Sequence, residues 1–416
     1  MRLSCAPMKR WLPLLFAALA SGVQAQTLSF WTMQLSPHLD GYVKDLIARF
    51  EAQEPGLKIH WVDLPWSEME RKVLTAIAAK QAPDVVNLNP QFAAKLAEFR
   101  ALADPSGYLS AAEQASYLPA AWRGNQLDGR SFAIPWYLTT NLTLVNKGVL
   151  ARAGLSTAPR NHAELLAMAP RIRAQGAFAY FPALDGSHPM ETLVAFGAPL
   201  SRQPCGPGFI NAQGAATLAF YRTLYQRGWV PRNVVTEGHR KAVELFVAGE
   251  VAIVSTGMQF LNFIKTSNSK LYAEIDLAPP LGQTGVPPNL AVMNVAVPES
   301  SAHKSAAFRF AAFVTNAENQ LRFARTVSIL PSTRASYDDA FLSTTPASPE
   351  LVDRARALSA ATALQGEVLV PPMRAYSKLR NSFSLNLQSQ MLGRSSPEAA
   401  LASIGQQWSA LMGCKP

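Results

Sequence analysis

Three arrangements that would mark a hydrolase or a nucleotide-using enzyme are missing from this sequence. There is no G-x-S-x-G elbow and no H-E-x-x-H helix, and "GFINAQG" lacks the lysine that a phosphate loop would carry next. Histidine is scarce: His38, His60, His162, His188, His239 and His303 lie too far apart for metal-ligand spacing. Asp63, Glu68 and Glu70 do cluster around Trp66. However, Glu70 closes a capping box in "SEME" (Ser67 to Glu70), and Asp63 and Glu68 occupy exposed helix-entry positions. A pair of carboxyls facing across a glycosidic bond, roughly 5–10 Å apart, is not the expected reading. No catalytic residue, metal or cofactor is expected.

Long apolar runs are also lacking, with one exception at the start. Lys9 and Arg10 precede "WLPLLFAALA" (Trp11 to Ala20), and small residues follow at Val23 and Ala25. Basic, apolar and small segments in that order form a cleavable signal, residues 1–25, too short to span a bilayer. The expected mature chain begins at Gln26 in a periplasmic or other extracytoplasmic compartment. Of three cysteines, Cys5 leaves with the signal. Cys205 and Cys414 remain, either bonded, as an oxidising compartment favours, or as separate thiols. Charge is modest, at 16% of residues, and the net value of +10 falls to +7 once Arg2, Lys9 and Arg10 are removed. The basic residues are scattered among acidic ones, with no basic run interleaved with aromatics, so nucleic acid is not an expected partner. At 416 residues the chain exceeds one ordinary core.

What is present alternates regularly. "LSFWT" reads as a strand, and Val43, Leu46, Ile47 and Phe50 form a helical stripe. "LKIHWV" is a second strand, a helix through Val73 and Ile77 follows, and "APDVVNLN" is a third strand. This order predicts a mostly parallel sheet flanked by helices, with ligands outside the carboxyl ends of the strands. Trp31, Thr32, Trp66 and Asn89 fall at those ends. A second α/β series begins after "FAIPW", and breaks near Trp136, Pro287 and Pro331 divide the chain into four pieces. Two discontinuous lobes follow: 26–136 and 287–330 in the first, 137–286 and 331–416 in the second, with the last piece a helical tail.

Pro135 is expected to turn the chain between the two sheets, leaving Trp136, Tyr137 and Thr139 on the cleft. "VAIVST" ends at Thr256, before Gly257, Met258 and Gln259. Aromatic plates with Asn, Gln and Thr suit a sugar, whose C–H faces stack and whose hydroxyls need paired donors and acceptors. Each aromatic taken singly is ordinary core material.

The sequence at this point resembles the extracellular solute-binding proteins of carbohydrate ABC importers, in the branch that binds maltose-like sugars and glycerol-phosphate compounds. The likeness is carried by "FEAQEPGLKIHWVDLPWSEMERKVLTAIAAKQAPDVVNLN", "DGRSFAIPWYLTTNLTLVNKGVLARAGL", "VELFVAGEVAIVSTGMQF", "ILPST" and "SSPEAALASIGQQW", in that order along the mature chain. It implies a two-lobed periplasmic-binding-protein fold that closes over a carbohydrate and passes it to membrane permease subunits, acting as a monomer and not as an enzyme. It places ligand contacts at Thr139, at Gly257, Met258 and Gln259, and near Trp66 and Asn89. Maltodextrin binders carry charged groups where Met33, Gln34 and Thr139 stand here, which points to a different neutral ligand. Arg374, in "PPMRAYSKLRN", falls near an arginine of the glycerol-phosphate binders. It would clamp an anionic ligand or serve as a surface arginine.

Overall fold

Strand and helix alternate from Gln26 onward and build a mixed sheet of six strands. The computed structural model describes residues 25–202 and 205–414, so the expected signal segment lies outside the described residues apart from Ala25. Strands Gln26–Met33, Leu57–Leu64 and Val85–Leu88 are parallel. Side chains alternate along a strand, and the two faces pack differently. Leu28 and Phe30 join Val43, Leu46 and Phe50 of helix Asp40–Gln53, whereas Trp31 and Met33 join Met69 and Val73 of helix Trp66–Ala78. Antiparallel strands then extend the sheet to the order Leu330–Pro331, Ile134–Thr139, Ala291–Ala296, Val85–Leu88, Gln26–Met33, Leu57–Leu64.

A second sheet has the order Ile275–Ala278, Leu142–Asn146, Val251–Thr256, Phe178–Tyr180, with only the last pair parallel. Its core takes in helices His162–Ala174, Ala212–Gln226 and His239–Val247, and the tail helices Tyr376–Met391 and Pro397–Met412. Two of these helices begin on an asparagine whose side chain accepts an early backbone N–H, Asn161 and Asn211, as does helix Ala317–Thr326 at Asn316. Such caps are each worth about 1 kcal/mol. Cys205 and Cys414 are bonded, with Cα atoms 5.6 Å apart across 209 positions of sequence. No helix among the described residues is long and apolar enough to cross a membrane.

The passage between sheets differs from the expectation. Strand Ile134–Thr139 runs through Pro135 and belongs wholly to the first sheet; the chain changes sheets at Thr140 and Asn141, before strand Leu142–Asn146. Pro135 is tolerated because the ladder is irregular there: it faces Asn294, where the register against Ala291–Ala296 shifts. A strand proline is admitted at such a bulge because no ladder hydrogen bond is lost. The Pro135 carbonyl instead accepts a bond from the Ser332 hydroxyl at 2.8 Å. The helix at Trp66 also lacks the expected capping box. It starts two residues early, with Pro65 and not Ser67 at the cap position, and Glu70 pairs with Lys95 at 2.6 Å.

Candidate ligand-binding cleft

Strands Phe178–Tyr180 and Val251–Thr256 run parallel, so both end at the same rim of the second sheet. A cavity of about 410 Å³ opens there. Tyr180 and Ser255 come from the two strand ends, and Asn141 from the passage between sheets. His188 and Glu191 come from helix His188–Ala195, while the proline-rich stretch Pro279 to Asn289 forms a wall. Prolines suit that wall, since their fixed backbone needs no ladder partner. A narrower recess of about 40 Å³ shares Glu191 and Asn289 with the cavity and is bounded by Gln91 of the first lobe and by Tyr376. Gln91 Nε2 donates to Ser187 Oγ at 3.5 Å across the lobes. The cavity therefore lies on the second lobe's rim, and its side recess reaches the first lobe.

The cavity combines aromatic surface with uncharged polar groups. Tyr180, Phe220 and Tyr221 supply rings; Asn141, Asn289 and Gln365 supply amides. Burial pushes the Tyr180 phenol up to about 12 against a hydrogen bond to Ser255, so it stays protonated. The Tyr221 hydroxyl donates to Thr192 Oγ1 at 2.9 Å. Among the described residues no lysine or arginine lines the cavity. Burial between Phe196 and Phe220 pulls His162 down to about 4, leaving it neutral. His239 is lowered by burial and then by His188, whose ring stacks on it at 5.9 Å; Asp185 opposes this. Glu191 is the one acidic residue in the lining among the described residues.

None of the twelve residues expected at the site lines this cavity. Trp136 is fully buried and stacks on Phe323 with ring centres 5.1 Å apart, so it is core and not a ligand plate. Tyr137 packs edge-on against the same Phe323, and burial raises its phenol. Trp31 is half-buried and faces a separate groove beside Arg71 and Thr75. Thr32 is buried and already used, donating to Asp63 at 2.6 Å and accepting from Trp61 Nε1 at 2.7 Å. Trp66 is 45% exposed at a helix start. Asn89 caps helix Pro90–Glu98, accepting from the Phe92 N–H at 2.8 Å.

On the second lobe, Thr256 and Met258 are buried and Gln259 is exposed. Gly257 begins the turn Met258–Phe260, where a Cβ would collide with the Gln259 side chain at 2.1 Å. Thr139 is half-buried, two residues short of Asn141. Arg374 is exposed and bound to Asp128, with Nη2 and Nε at 2.6 and 3.0 Å from one carboxylate oxygen. Among the described residues no group of three or more His, Cys, Asp or Glu side chains is arranged to hold a metal.

The sequence pattern of the bacterial extracellular solute-binding proteins matches residues 36–321. The chain belongs to that family. Among similar solved structures of this solute-binding fold is a provisionally assigned oligosaccharide periplasmic-binding protein of Synechococcus sp. MITs9220, in complex with zinc. It is 36% identical with a TM-score of 0.86, covering 93% of this chain and 99% of that one. The sugar-binding protein MalE of Xanthomonas citri shares the fold, at 24% identity and a TM-score of 0.77, over 93% and 98% of the two chains. A provisionally named binding protein of Brucella abortus (strain 2308) is 23% identical over 406 residues, 95% of either chain.

The cavity lining of this solute-binding protein includes Asn141, Tyr180, His188, Glu191, Asn289 and Gln365, none of which the sequence patterns single out. Tyr180 ends a strand of only three residues, Phe178–Tyr180, too short for alternation to reveal. A usable signal was the turn chemistry after it, "FPALDGSHPMET", where proline, Asp-Gly and Ser-His-Pro lead into a helix.

Proposed function

We propose that this extracellular solute-binding protein captures a sugar in the cavity at the second lobe's rim and delivers it to the permease of an ABC importer. The observation that carries this reading is the lining: the half-buried ring of Tyr180 beside the amides of Asn141, Asn289 and Gln365, with no lysine or arginine among the described residues. Rings stack on the apolar face of a pyranose, and amides pair its hydroxyls both ways. At about 410 Å³, the cavity falls toward the lower part of the ~300–1,000 Å³ typical of small-molecule sites, which suits a mono- or disaccharide. The Synechococcus relative is named for oligosaccharides, and the diacetylchitobiose-binding protein DasA of Streptomyces coelicolor is 27% identical over 145 residues.

Binding proceeds without chemistry. Hydrolysis of a glycosidic bond generally needs two carboxyls flanking it, and the lining offers Glu191 alone. Ligand contacts to Glu191 and Asn289, which also border the recess beneath Gln91, favour the arrangement in which the lobes meet. A glycerol-phosphate ligand is disfavoured, since Arg374 is held by Asp128 and lies away from the cavity. The protein acts as a monomer, without nucleic acid.

The test is a thermal-shift screen of the mature protein against mono- and disaccharides and glycerol phosphates. A sugar at one hundred times its Kd stabilises the fold by about 2.7 kcal/mol, and chromatography should recover it unaltered. Tyr180→Ala should weaken that binding by about 1–3 kcal/mol. Stabilisation by glycerol phosphates alone, or consumption of the sugar, would refute the proposal.

A further inference from the structure

We propose that Glu191 is the charge filter of the cleft, admitting sugars with hydroxyl or amino groups and turning away sugars that carry a carboxylate, phosphate or sulfate. The inference rests on the sugar reading above and deepens it. Glu191 is half-buried, lines both the cavity and the recess toward the first lobe, and has no basic side chain within 4 Å among the described residues. Its hydrogen-bond partner in the protein is the Ser187 hydroxyl.

Other sheltered carboxylates are satisfied differently. Asp63 accepts two backbone N–H groups, from Leu35 and Ser36, at 3.1 Å each; Asp84 faces His303; Glu164 faces Arg160. A carboxylate has about four acceptor positions. Ser187 occupies one, leaving Glu191 with acceptor capacity directed at the cavity and no donor of its own to offer. It lies in the first turn of helix His188–Ala195.

The surroundings do not offset this negative charge. His162 and His239 are held toward their neutral forms, His188 lines the cavity on the same helix without an ion pair to Glu191, and among the described residues neither lysine nor arginine reaches the lining. An acidic group placed about 7 Å from Glu191, at an effective dielectric near 20, would lose roughly 50-fold in affinity. A hydroxyl or ammonium at the same place would instead supply the donor that Glu191 lacks. Ser187 also accepts from Gln91 of the first lobe, so ligand held on Glu191 stands next to a contact between lobes.

The experiment uses the mature protein, its Glu191→Gln variant, and matched sets on maltose, lactose and cellobiose backbones. Each set contains the neutral disaccharide, its 2-amino-2-deoxy analogue and its 6-uronate, with Kd measured calorimetrically at fixed salt. On a backbone that binds, the expected order is amino at least as tight as neutral, and uronate at least tenfold weaker. In Glu191→Gln the neutral–uronate gap should shrink to about threefold, because the isosteric amide keeps the shape and removes the charge. Neutral sugars that bind with an unchanged gap in the variant, or a uronate that binds as well as its parent, would overturn the filter and leave the sugar reading standing. A protein that binds no member of any set but responds to glycerol phosphates would overturn both.

Discussion

The rims of the two sheets look alike in sequence and behave differently in the fold. Both end in apolar strands followed by Trp, Thr, Asn or Gln. On the first sheet those groups are already committed: Trp136 to Phe323, Thr32 to Asp63 and Trp61, Asn89 to a helix cap. On the second, Asn141, Glu191 and Asn289 line open space and are at most partly used: Glu191 accepts from the Ser187 hydroxyl, and Asn289 Oδ1 accepts the Leu369 N–H at 3.1 Å. A polar or aromatic residue at a strand end marks a binding site only when local structure has not already satisfied it. The helix that follows each parallel strand is a strong competitor, because its first N–H groups need acceptors from the same loop.

The largest effect should come from testing the committed side. Trp136→Ala should destabilise the fold by about 3–5 kcal/mol, as expected for emptying a buried ring site, while sugar affinity in the folded protein changes less than about twofold. Chemical denaturation with calorimetry on the same sample checks both. Lost binding with unchanged stability would restore Trp136 to the cleft and erase the contrast.

A second test uses pH. His162 sits between aromatic rings on the cavity side with its pKa lowered to about 4, against 6.5 for the free group. The unfolded chain takes up that proton first. Stability from this group is therefore intact above pH 6.5, falls as pH drops from 6.5 toward 4, and changes no further below 4. The loss across that window is about 3 kcal/mol. Urea unfolding of wild type and His162→Phe at pH 7 and pH 4 should show the variant missing that part of the acid sensitivity. Equal slopes in both proteins would place His162 in water.

The smallest effect is expected at Arg374. Its pair with Asp128 is solvent-exposed, and such pairs contribute little. Arg374→Ala should leave the melting temperature and sugar affinity essentially unchanged. A glycerol-phosphate affinity that vanished in this variant would instead make Arg374 a ligand group and extend the site beyond the second rim.

Much of the fold was legible. Period-two and period-3.6 patterns were strong in "LSFWT", in the Val43–Phe50 stripe and in "VAIVST", and these segments form the elements expected. The site was less so, for reasons that particular residues show. Pro135 reads as a turn, but a bulge opposite Asn294 lets the strand continue, shifting the passage between sheets to Thr140 and Asn141. The stretch from Pro279 to Asn289 reads as an interruption between elements, yet it walls the cavity. Glu191 sits on a helix and looks like any solvated acid until the structure shows no ion pair to it among the described residues. Pairwise satisfaction is a property of three-dimensional neighbours, which spacing along a chain does not report.

The Cys205–Cys414 bond ties the end of the last helix to a loop 209 positions earlier. It makes most of the second lobe a covalent ring, while the strands of the first lobe that precede Cys205 stay outside it. A carboxypeptidase digesting inward should stall near that link under oxidising conditions, and advance into helix Pro397–Met412 once a reductant is added. The lobe that carries the proposed sugar cavity would then be the part of the molecule whose durability depends on the redox state of its compartment.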